Sequence, residues 1–399
     1  MADCWQVLDS IDQIEPSEWN AVVRAAGGSV FHSHEWLSAY EHAPPAPLFN
    51  VRHVLLRRAG RLLLVAPMYE VAEDPHYTGY GPDYGFDHPI LRARMLVGHS
   101  WYSYFNGICT LADAASVAAP LTATMAGIAR DLDSPIYGFP GVPEGDALGP
   151  ELAATGFVPV YTEATSGVDF AGTAAAHVQS MRGSKRQREF RRLSERAARL
   201  GAEIRRDVRD GDVAAFAELV ADVCARHGVP PVNPASSLHR IFADLSEQAH
   251  FVSVWNGDLL LGGFVLLYFD GVLYAWIAGL NYEHHKEFGT YYCLYAQTLL
   301  LGEQLGARRI EMGRSMYGFK TRMGFHPQLL VSWLKAGNAA GTQLLRTGVP
   351  ALATACRTRH RVAQAYRDNG LEVPAPIAAP ARYRTPGGAG ESTPASADR

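Results

Sequence analysis

The stretch FVSVWNGDLLLGGFVLLYF at residues 251–269, followed by GVLYAWIAGLN at 271–281, determines how the second half of the chain folds. Both segments are rich in apolar, β-branched and aromatic residues, which predicts the arms of β-hairpins. A polar loop, YEHHKEFGT at 282–290, leads into an apolar helix, YYCLYAQTLLLGEQLG at 291–306. A strand, a basic loop with a glycine and a helix N-terminus in this order indicate a site for an anionic carrier.

The regions on either side of this stretch complete one predicted unit. Downstream lie a short strand, RRIEMGRS at 308–315, and the dense segment MYGFKTRMGF at 316–325. Upstream, DVAAFAELVADVCARHGV and PASSLHRIFADLSEQAH predict two helices. Strands clustered in hairpins with helices on their flanks are typical of an α+β domain.

A strongly basic segment opens this unit at residues 181–209. Phe190, Leu193, Ala197 and Leu200 recur at helical spacing, which predicts an amphipathic helix that ends at Gly201. The basic residues of its polar face are Arg182, Lys185, Arg186, Arg188, Arg191, Arg192, Arg196 and Arg199. This face is either solvated or binds the phosphates of RNA or another polyanionic carrier, and Lys185, Arg186 and Arg188 are the proposed phosphate contacts.

The first half alternates predicted strands and helices. Pro16 opens one helix, a second carries Trp36, and a hairpin turns at Ala59-Gly60. The aromatic, glycine-rich stretch from His76 to Gly107 either lines a cleft or fills the space between domains. We therefore predict an N-terminal domain over 1–170, a second over 177–340, a C-terminal helical segment over 341–369 interrupted near Pro350, and a disordered tail over 370–399.

Composition excludes several classes of protein. The 399 residues carry a formal charge of −4, which gives no global signal for nucleic acid or a membrane surface. The five cysteines are scattered without metal-ligand spacing, so we predict a reducing compartment and no metal site. The acidic N-terminus is unlike a signal peptide, and no apolar run reaches membrane-spanning length. We expect a soluble, cytoplasmic protein.

The ordered set GG, YAWIAG, EMGRS and FKTRMGF resembles the second domain of the Fem-type peptidyltransferase branch of the GNAT acyltransferases. SKRQREFRR resembles the basic helix that opens that domain, and FHSHEWLSAYE is similar to an N-terminal helix of the family. The resemblance covers most of the chain up to about Lys335. It implies two tandem GNAT-like domains with mixed central sheets, and an acceptor bound in the cleft between them.

The resemblance also implies amide formation, in which an amine attacks an acyl ester or thioester without a bound cofactor. The donor is then a co-substrate, either aminoacyl-tRNA or acyl-CoA, and the acceptor is the amine of a small molecule or peptide. The loop over 284–290 has one glycine where acyl-CoA users of this fold have several, which favours aminoacyl-tRNA and tRNA as a partner. A binding protein that keeps the shape without turnover is the third alternative.

The residues suggest how such chemistry is arranged. Lys320 with Arg322, inside an aromatic frame, is suited to grip a phosphate or carboxylate. The candidate proton acceptors are Glu311 and the pair His284 and His285. Glu311 is equally suited to form a salt bridge with Arg314. The predicted catalytic residues are Lys320, Glu311 and His285, and the predicted substrate contacts are Arg314, Ser315, Tyr317, Arg322, Tyr274, Trp276, Lys286, Gly289 and Tyr291. Tyr274 and Trp276 share one strand face, where they either flank the acyl group or pack in the core.

Overall fold

A computed structural model describes residues 3–73, 85–98, 100, 103–105, 107–209, 211–228 and 233–378. The elements of the first half, in order, are β1 (Asp3–Leu8), α1 (Pro16–Ala25), α2 (His34–His42), β2 (Leu48–Val51), β3 (His53–Arg58), β4 (Arg61–Ala66), β5 (Tyr69–Val71), β6 (Met95–Val97), β7 (Cys109–Thr110), α3 (Ala114–Asp131), β8 (Ile136–Pro143), α4 (Leu148–Ala154) and β9 (Val158–Asp169). A short 3-10 turn, Val30–His32, lies between α1 and α2.

The second half begins with the basic helix. Its elements are α5 (Ala174–Ser180), α6 (Ser184–Ser194), α7 (Arg196–Arg199), β10 (Glu203–Arg205), α8 (Asp212–Arg226), α9 (Ala235–Asp244), β11 (Ala249–Asn256), β12 (Leu259–Phe269), β13 (Val272–Leu280), α10 (His285–Phe288), α11 (Thr290–Gln304), β14 (Arg309–Arg314), α12 (Tyr317–Arg322) and β15 (His326–Ala336), followed by α13 (Ala339–Ala355), α14 (Thr358–Asp368) and α15 (Ala375–Ala378). The predicted order of helices and hairpin strands in this half is confirmed.

One mixed sheet runs through both halves. Within the described residues it has 11 strands in the order β10-β11-β12-β13-β14-β9-β15-β8-β6-β5-β2, and a separate 4-stranded sheet has the order β1-β3-β4-β7. Each half contributes one parallel pair to the large sheet, β6 with β8 and β13 with β14, and a helix connects the strands of each pair. The two halves therefore repeat one strand, helix, parallel-strand pattern within a mixed sheet, in agreement with the predicted tandem fold.

Two strands tie the halves together. β9, at the end of the first half, pairs antiparallel with β14 and with β15 of the second half. β15 in turn pairs with β8, so it lies inside the strand order of the first half. A continuous ladder of hydrogen bonds thus crosses the region where the sequence places a domain boundary.

Helices cover both faces of the second half of the sheet. α11 packs Cys293, Leu294 and Leu299 onto one face, in a cluster with Ile310 and Met312. On the other face, Phe216 of α8 lies so close to Gly279 that a Cβ there would be 2.9 Å from its ring. A glycine in the middle of a strand is favoured where another element approaches this closely.

Some local predictions differ from the structure. The C-terminal helical segment is not interrupted near Pro350; α13 continues through that residue, and the break comes at Cys356, whose backbone is extended. Leu200, predicted on the apolar face of the basic helix, is 48% exposed, because the helix has ended there. Residues 370–378 include α15 with a buried Ile377, and residues 379–399 of the predicted tail lie outside the described residues.

The aromatic stretch from His76 to Gly107 is described at 85–98, 100, 103–105 and 107, and its residues 76–84, 99, 101–102 and 106 lie outside the described residues. In the part of the chain that the structure describes, no helix combines the length and apolar character needed to cross a bilayer.

Candidate active site

The parallel pair of the second half comes apart midway along its strands. The ladder between β13 and β14 joins Val272 to Arg309 and ends where Tyr274 pairs with Glu311, although β13 continues to Leu280. Tyr104 of the first half reaches this point of divergence. Its hydroxyl bonds to the carbonyl of Trp276 at 2.7 Å and to that of Ala275. The two halves meet where the strand pair opens.

A cavity of about 450 Å³ adjoins this divergence and is walled by both halves. The first half supplies the segment from Ala26 to Ser29, with His32, Phe105, Asp146 and the end of β8. The second half supplies Tyr274, Arg309, Glu311 and Gln328. A concave site on which several polar groups converge is a usual place for a small molecule to bind.

Glu311 is the most deeply buried carboxylate of this cavity, at 1% exposure. Arg309 bonds it with distances of 2.6 and 2.7 Å, and the Thr165 hydroxyl donates to it at 3.3 Å. Burial raises the pKa of Glu311 above its usual range, although Arg309 and Lys320 oppose that effect. Gly167 faces it across the ladder, where a Cβ would lie 2.3 Å from the carboxylate oxygen. Glu311 is thus a desolvated carboxylate suited to accept a proton.

Lys320, on α12, lies beneath the end of β14. Its ammonium donates to the carbonyl of Gly313 at 2.9 Å and to the carbonyl of Arg314, and the residue is 3% exposed. Burial lowers its pKa to about 7, against an attraction from Glu311 that raises it. The contacts of Lys320 are main-chain carbonyls, so its role toward an anion stays a prediction.

Arg314 connects the halves and does not hold Glu311. Its Nε lies 2.7 Å from the Glu163 carboxylate, and its guanidinium donates to the Ser103 carbonyl. The predicted pairing of Arg314 with Glu311 is therefore wrong, because alternation along β14 places Arg309 on the face of Glu311 and Arg314 on the other face. Ser315, which follows, is exposed and has a left-handed backbone with φ of 60°.

The aromatic residues predicted to touch substrate are mostly packed among other rings. Tyr274 lines the cavity and lies 5.4 Å from the Phe31 ring, whereas Trp276 packs edge-on against Trp36 at 5.0 Å. The Tyr317 hydroxyl bonds the backbone of Ala164 on β9, and Tyr291 packs against Phe319 at 5.2 Å. Among these four, Tyr274 is the one that faces the cavity.

The histidine loop lies at the other end of β13. His285 contacts the Tyr282 ring at 5.2 Å, and burial together with Lys286 and Arg226 lowers its pKa. Leu280, just before this loop, is six residues beyond Tyr274, or about 20 Å along a strand. His285 and Glu311 are therefore not brought together. Gly289, with φ of 64°, begins α11 against the carbonyl of Leu193 on α6.

The basic helix and Arg322 lie on one surface. Phe190 of α6 contacts the Tyr292 ring at 6.2 Å, and that ring contacts Phe319 of α12 at 5.2 Å. Glu189 and Arg322 both act electrostatically on the Tyr292 hydroxyl, whose pKa burial raises. Lys185 and Arg188 are exposed and Arg186 is half-buried. The predicted donor contacts Lys185, Arg186 and Arg188 thus lie in the first turns of α6, whose last turn, at Leu193, meets Gly289.

Three residues of this region were not found from the sequence: His32, Arg309 and Tyr104. Arg309 had a signal, because it stands two residues before Glu311 on a predicted strand and so shares its face. His32 and Tyr104 had none, since their importance depends on how the halves close on each other.

Comparisons with known proteins agree with this geometry. A family model described as an acetyltransferase (GNAT) domain matches residues 184–321. The structure of FemX is similar with a TM-score of 0.58 and 14% identity, covering 82% of this chain and 96% of FemX. A tandem GNAT protein from the clavulanic acid biosynthesis pathway is similar with a TM-score of 0.52 and 13% identity, covering 84% of this chain and 99% of that one.

A third similar structure, L-PGS from Bacillus licheniformis, has a TM-score of 0.51 and 9% identity, with coverage of 86% of this chain and 97% of that one. No curated protein sequence matches the chain. At these identities the structural comparisons establish the fold alone, and the family model locates its GNAT domain in the second half.

Proposed function

We propose that this chain, whose second half matches a GNAT domain model and whose fold is similar to that of FemX, is an acyltransferase that transfers an aminoacyl group from tRNA to the amine of a small-molecule or peptide acceptor. The amine nitrogen attacks the ester carbonyl and forms the new C–N bond. The C–O bond to the tRNA breaks, a protein group accepts the proton of the amine, and the released hydroxyl takes up a proton. A cytoplasmic location belongs to the same proposal.

The observation that carries the proposal is the presence of two buried titratable groups, Glu311 and Lys320, near the point where β13 and β14 diverge. Glu311 faces the cavity and Lys320 lies beside the last residues of the same strand. Each group influences the pKa of the other. Desolvated groups with perturbed pKa values, next to a cavity, are the usual setting of acid and base chemistry.

Lys320 has a second chemical property that suits the reaction. With a pKa lowered to about 7, part of the side chain is neutral near neutral pH. A neutral amine has two N–H groups, which match the two carbonyls of Gly313 and Arg314, and its lone pair then remains available. Lys320 or Glu311 can thus take the proton that the attacking amine must lose.

Two observations support aminoacyl-tRNA as the donor. The exposed basic residues of α6 adjoin Arg322 and the N-terminus of α11, which together form a surface for a polyanion. Where parallel strands part, their free main-chain groups are suited to bind an extended ligand. Here the Tyr104 hydroxyl occupies the carbonyls of Ala275 and Trp276, so an extended arm such as that of CoA meets a competing side chain.

The direct test uses purified protein, labelled aminoacyl-tRNAs and a panel of amines. We expect label to move from RNase-sensitive to RNase-resistant material, with an amide bond in the product. Replacing Lys185, Arg186 and Arg188 together by Gln should weaken tRNA binding about 10-fold and reduce its salt dependence, by about one counterion for each phosphate that these residues neutralise. The matched control replaces Arg61, Arg346 and Arg367, which are exposed elsewhere, with the same change of charge.

Acyl-CoA is the second candidate donor, because the tandem GNAT protein is described in relation to AcCoA. Saturable release of CoA thiol in the presence of an amine, without transfer from any aminoacyl-tRNA, would replace the proposed donor. Absence of turnover with both donor classes, together with retained ligand binding, would instead identify a binding protein of this fold.

A further inference from the structure

His32 is a buried polar group that the proposed chemistry leaves unexplained. It ends the 3-10 turn Val30–His32, is 6% exposed and lines the cavity between the halves. Burial lowers its pKa to about 4, so the ring is neutral at neutral pH.

The hydrogen bonds of the ring fix its tautomer. The backbone N–H of Ser29 donates to Nδ1 at 3.2 Å, so Nδ1 is an acceptor and the ring proton is on Nε2. Nε2 has no hydrogen-bond partner among the described residues. A buried donor without an acceptor is costly, and such groups in a cavity commonly meet a ligand or water. Nε2 of His32 is therefore an N–H donor of fixed tautomer that has no acceptor among the described residues, in a residue that lines the cavity.

His32 lies close to the proposed chemistry. Phe31, its neighbour, packs on Tyr274 at 5.4 Å. Tyr274 is paired with Glu311 across the strand ladder, and the Glu311 charge contributes to raising its pKa, which burial raises most. The turn Val30–His32 of the first half therefore packs over Tyr274, the residue of β13 that pairs with Glu311.

The charges of the cavity indicate what it binds. Glu311 and Asp146 contribute two carboxylates, and Asp146 accepts one bond from the Leu148 N–H at 2.9 Å. Arg309 is already bound to Glu311 and, at 2.9 Å, to Asp169. Carboxylates in excess favour an amine, and a fixed N–H donor favours an oxygen acceptor on the same molecule. The volume of about 450 Å³ suits a molecule of amino-acid size.

We propose that this cavity binds an amino acid or amino-acid amide as the acceptor, and that His32 Nε2 donates to the oxygen of its carboxyl or amide group. His32 is then a specificity-determining residue that selects amines with a neighbouring carbonyl oxygen. This inference rests on the proposed function in calling the bound molecule the acceptor. Binding of that molecule to the cavity does not require an acyl donor.

The experiment measures binding by calorimetry without any acyl donor. The ligands are the common amino acids, the amides of those that bind, and matched amines that lack the carboxyl group, such as phenethylamine for phenylalanine and cadaverine for lysine. The variants His32→Gln and His32→Asn test the two ring nitrogens separately. In His32→Gln the amide nitrogen can take the place of Nε2, whereas the shorter side chain of His32→Asn can replace only Nδ1. Thermal melting followed by circular dichroism checks that each variant is folded.

We expect the wild type to bind one or more amino acids or their amides about 5- to 30-fold more tightly than the matched amines. His32→Asn should remove that preference, and His32→Gln should retain most of it. Equal affinity for both ligand classes in the wild type, or a preference that survives in folded His32→Asn, would overturn the inference. So would the absence of binding by every amino acid at millimolar concentration, while the aminoacyl-tRNA assay tests the proposed function separately.

Discussion

The parallel strand pairs of the two halves differ in what lies beside them. Both pairs are joined over three residue pairs, and β8 runs on past β6 as β13 runs on past β14. In the first half the Gly98 N–H adds one bond to the Gly138 carbonyl at 2.9 Å, and the rings of Phe139 and Phe157 pack where the pairing ends. In the second half, the pair opens after Glu311 beside a cavity. The two units therefore match in the extent of their pairing and differ in the residues where it ends, which are aromatic rings in the first half and Tyr274 with Glu311 in the second.

Two buried carboxylates show the same difference. Glu70, on β5 of the first half, is 0% exposed and bonds Asn50 at 2.6 Å, Arg94 at 2.7 Å and the Ser134 hydroxyl. Glu311 has Arg309 and Thr165 as partners and also faces a cavity. We interpret the first carboxylate as a structural group and the second as a chemical one.

The largest expected effect comes from exchanging these two carboxylates for amides. Glu311→Gln should lower kcat/KM about 10²- to 10⁴-fold if Glu311 takes a proton, with a smaller loss of stability. Glu70→Gln should leave kcat/KM within about threefold and lower the free energy of unfolding by about 1–3 kcal/mol, because Asn50, Arg94 and the buried Ser134 lose their charged acceptor. Steady-state kinetics and chemical unfolding measure both. Equal losses of activity in the two variants would remove the distinction between the halves.

Two lysines that bind main-chain carbonyls provide the next comparison. Lys320 binds the carbonyls of Gly313 and Arg314, and Lys335 binds that of Thr155 at 2.6 Å in the first half of the sheet. Lys320→Met should lower kcat/KM about 100-fold or more, whereas Lys335→Met should affect only stability. If Lys320→Met lost stability but kept full activity, the role of Lys320 would be structural. It would then stabilise the turn at Ser315 and Met316, which both have positive φ.

The pH dependence sharpens the assignment of Lys320. A lowered pKa of about 7 means that the amine is protonated below that pH and has no free lone pair. The rate should therefore fall about tenfold per pH unit below about pH 7 and level off above it. Rates measured from pH 5.5 to pH 9 at a saturating donor concentration test for this fall. The residual activity of Lys320→Met should not fall below pH 7. If it falls as in the wild type, the pH dependence belongs to another group.

The smallest expected effect concerns the hydroxyl that lies between the diverging strands. Tyr104→Phe frees the carbonyls of Ala275 and Trp276, so affinity for CoA should rise about 3- to 10-fold while aminoacyl transfer changes less. The matched control is Tyr69→Phe, since the buried Tyr69 hydroxyl bonds Glu41 at 3.0 Å away from the divergence. Titration with CoA distinguishes them. Unchanged affinity in Tyr104→Phe would contradict competition by this hydroxyl.

The elements of the second half were predictable because each depends on local periodicity. The strands at 251–281, the helix after Gly289 and the basic segment, which forms the two consecutive helices α6 and α7, all have patterns of apolar residues that the structure confirms. The candidate site was predictable only in part. Glu311 and Lys320 could be selected by residue type and neighbours, and both lie near the junction of the halves.

What the sequence did not reveal depends on contacts between distant segments. His32 becomes an unsatisfied donor only when the first half closes over Tyr274, and no local pattern encodes that closure. The pairing of Arg314 with Glu163 likewise requires β9 to lie next to β14. Partner choice among strands is non-local, so a boundary drawn from composition did not show that one sheet crosses it.

The position of β15 between β8 and β9 has a consequence for how the chain reaches its native state. The first half cannot complete its hydrogen-bonded ladder until residues synthesised more than 150 positions later have emerged, since Leu330 pairs with Pro143 and Glu163. Contacts of such large sequence separation slow folding and leave strand edges uncovered in the meantime. The cleft between the halves is therefore formed late, by the same event that makes the two halves one cooperative body.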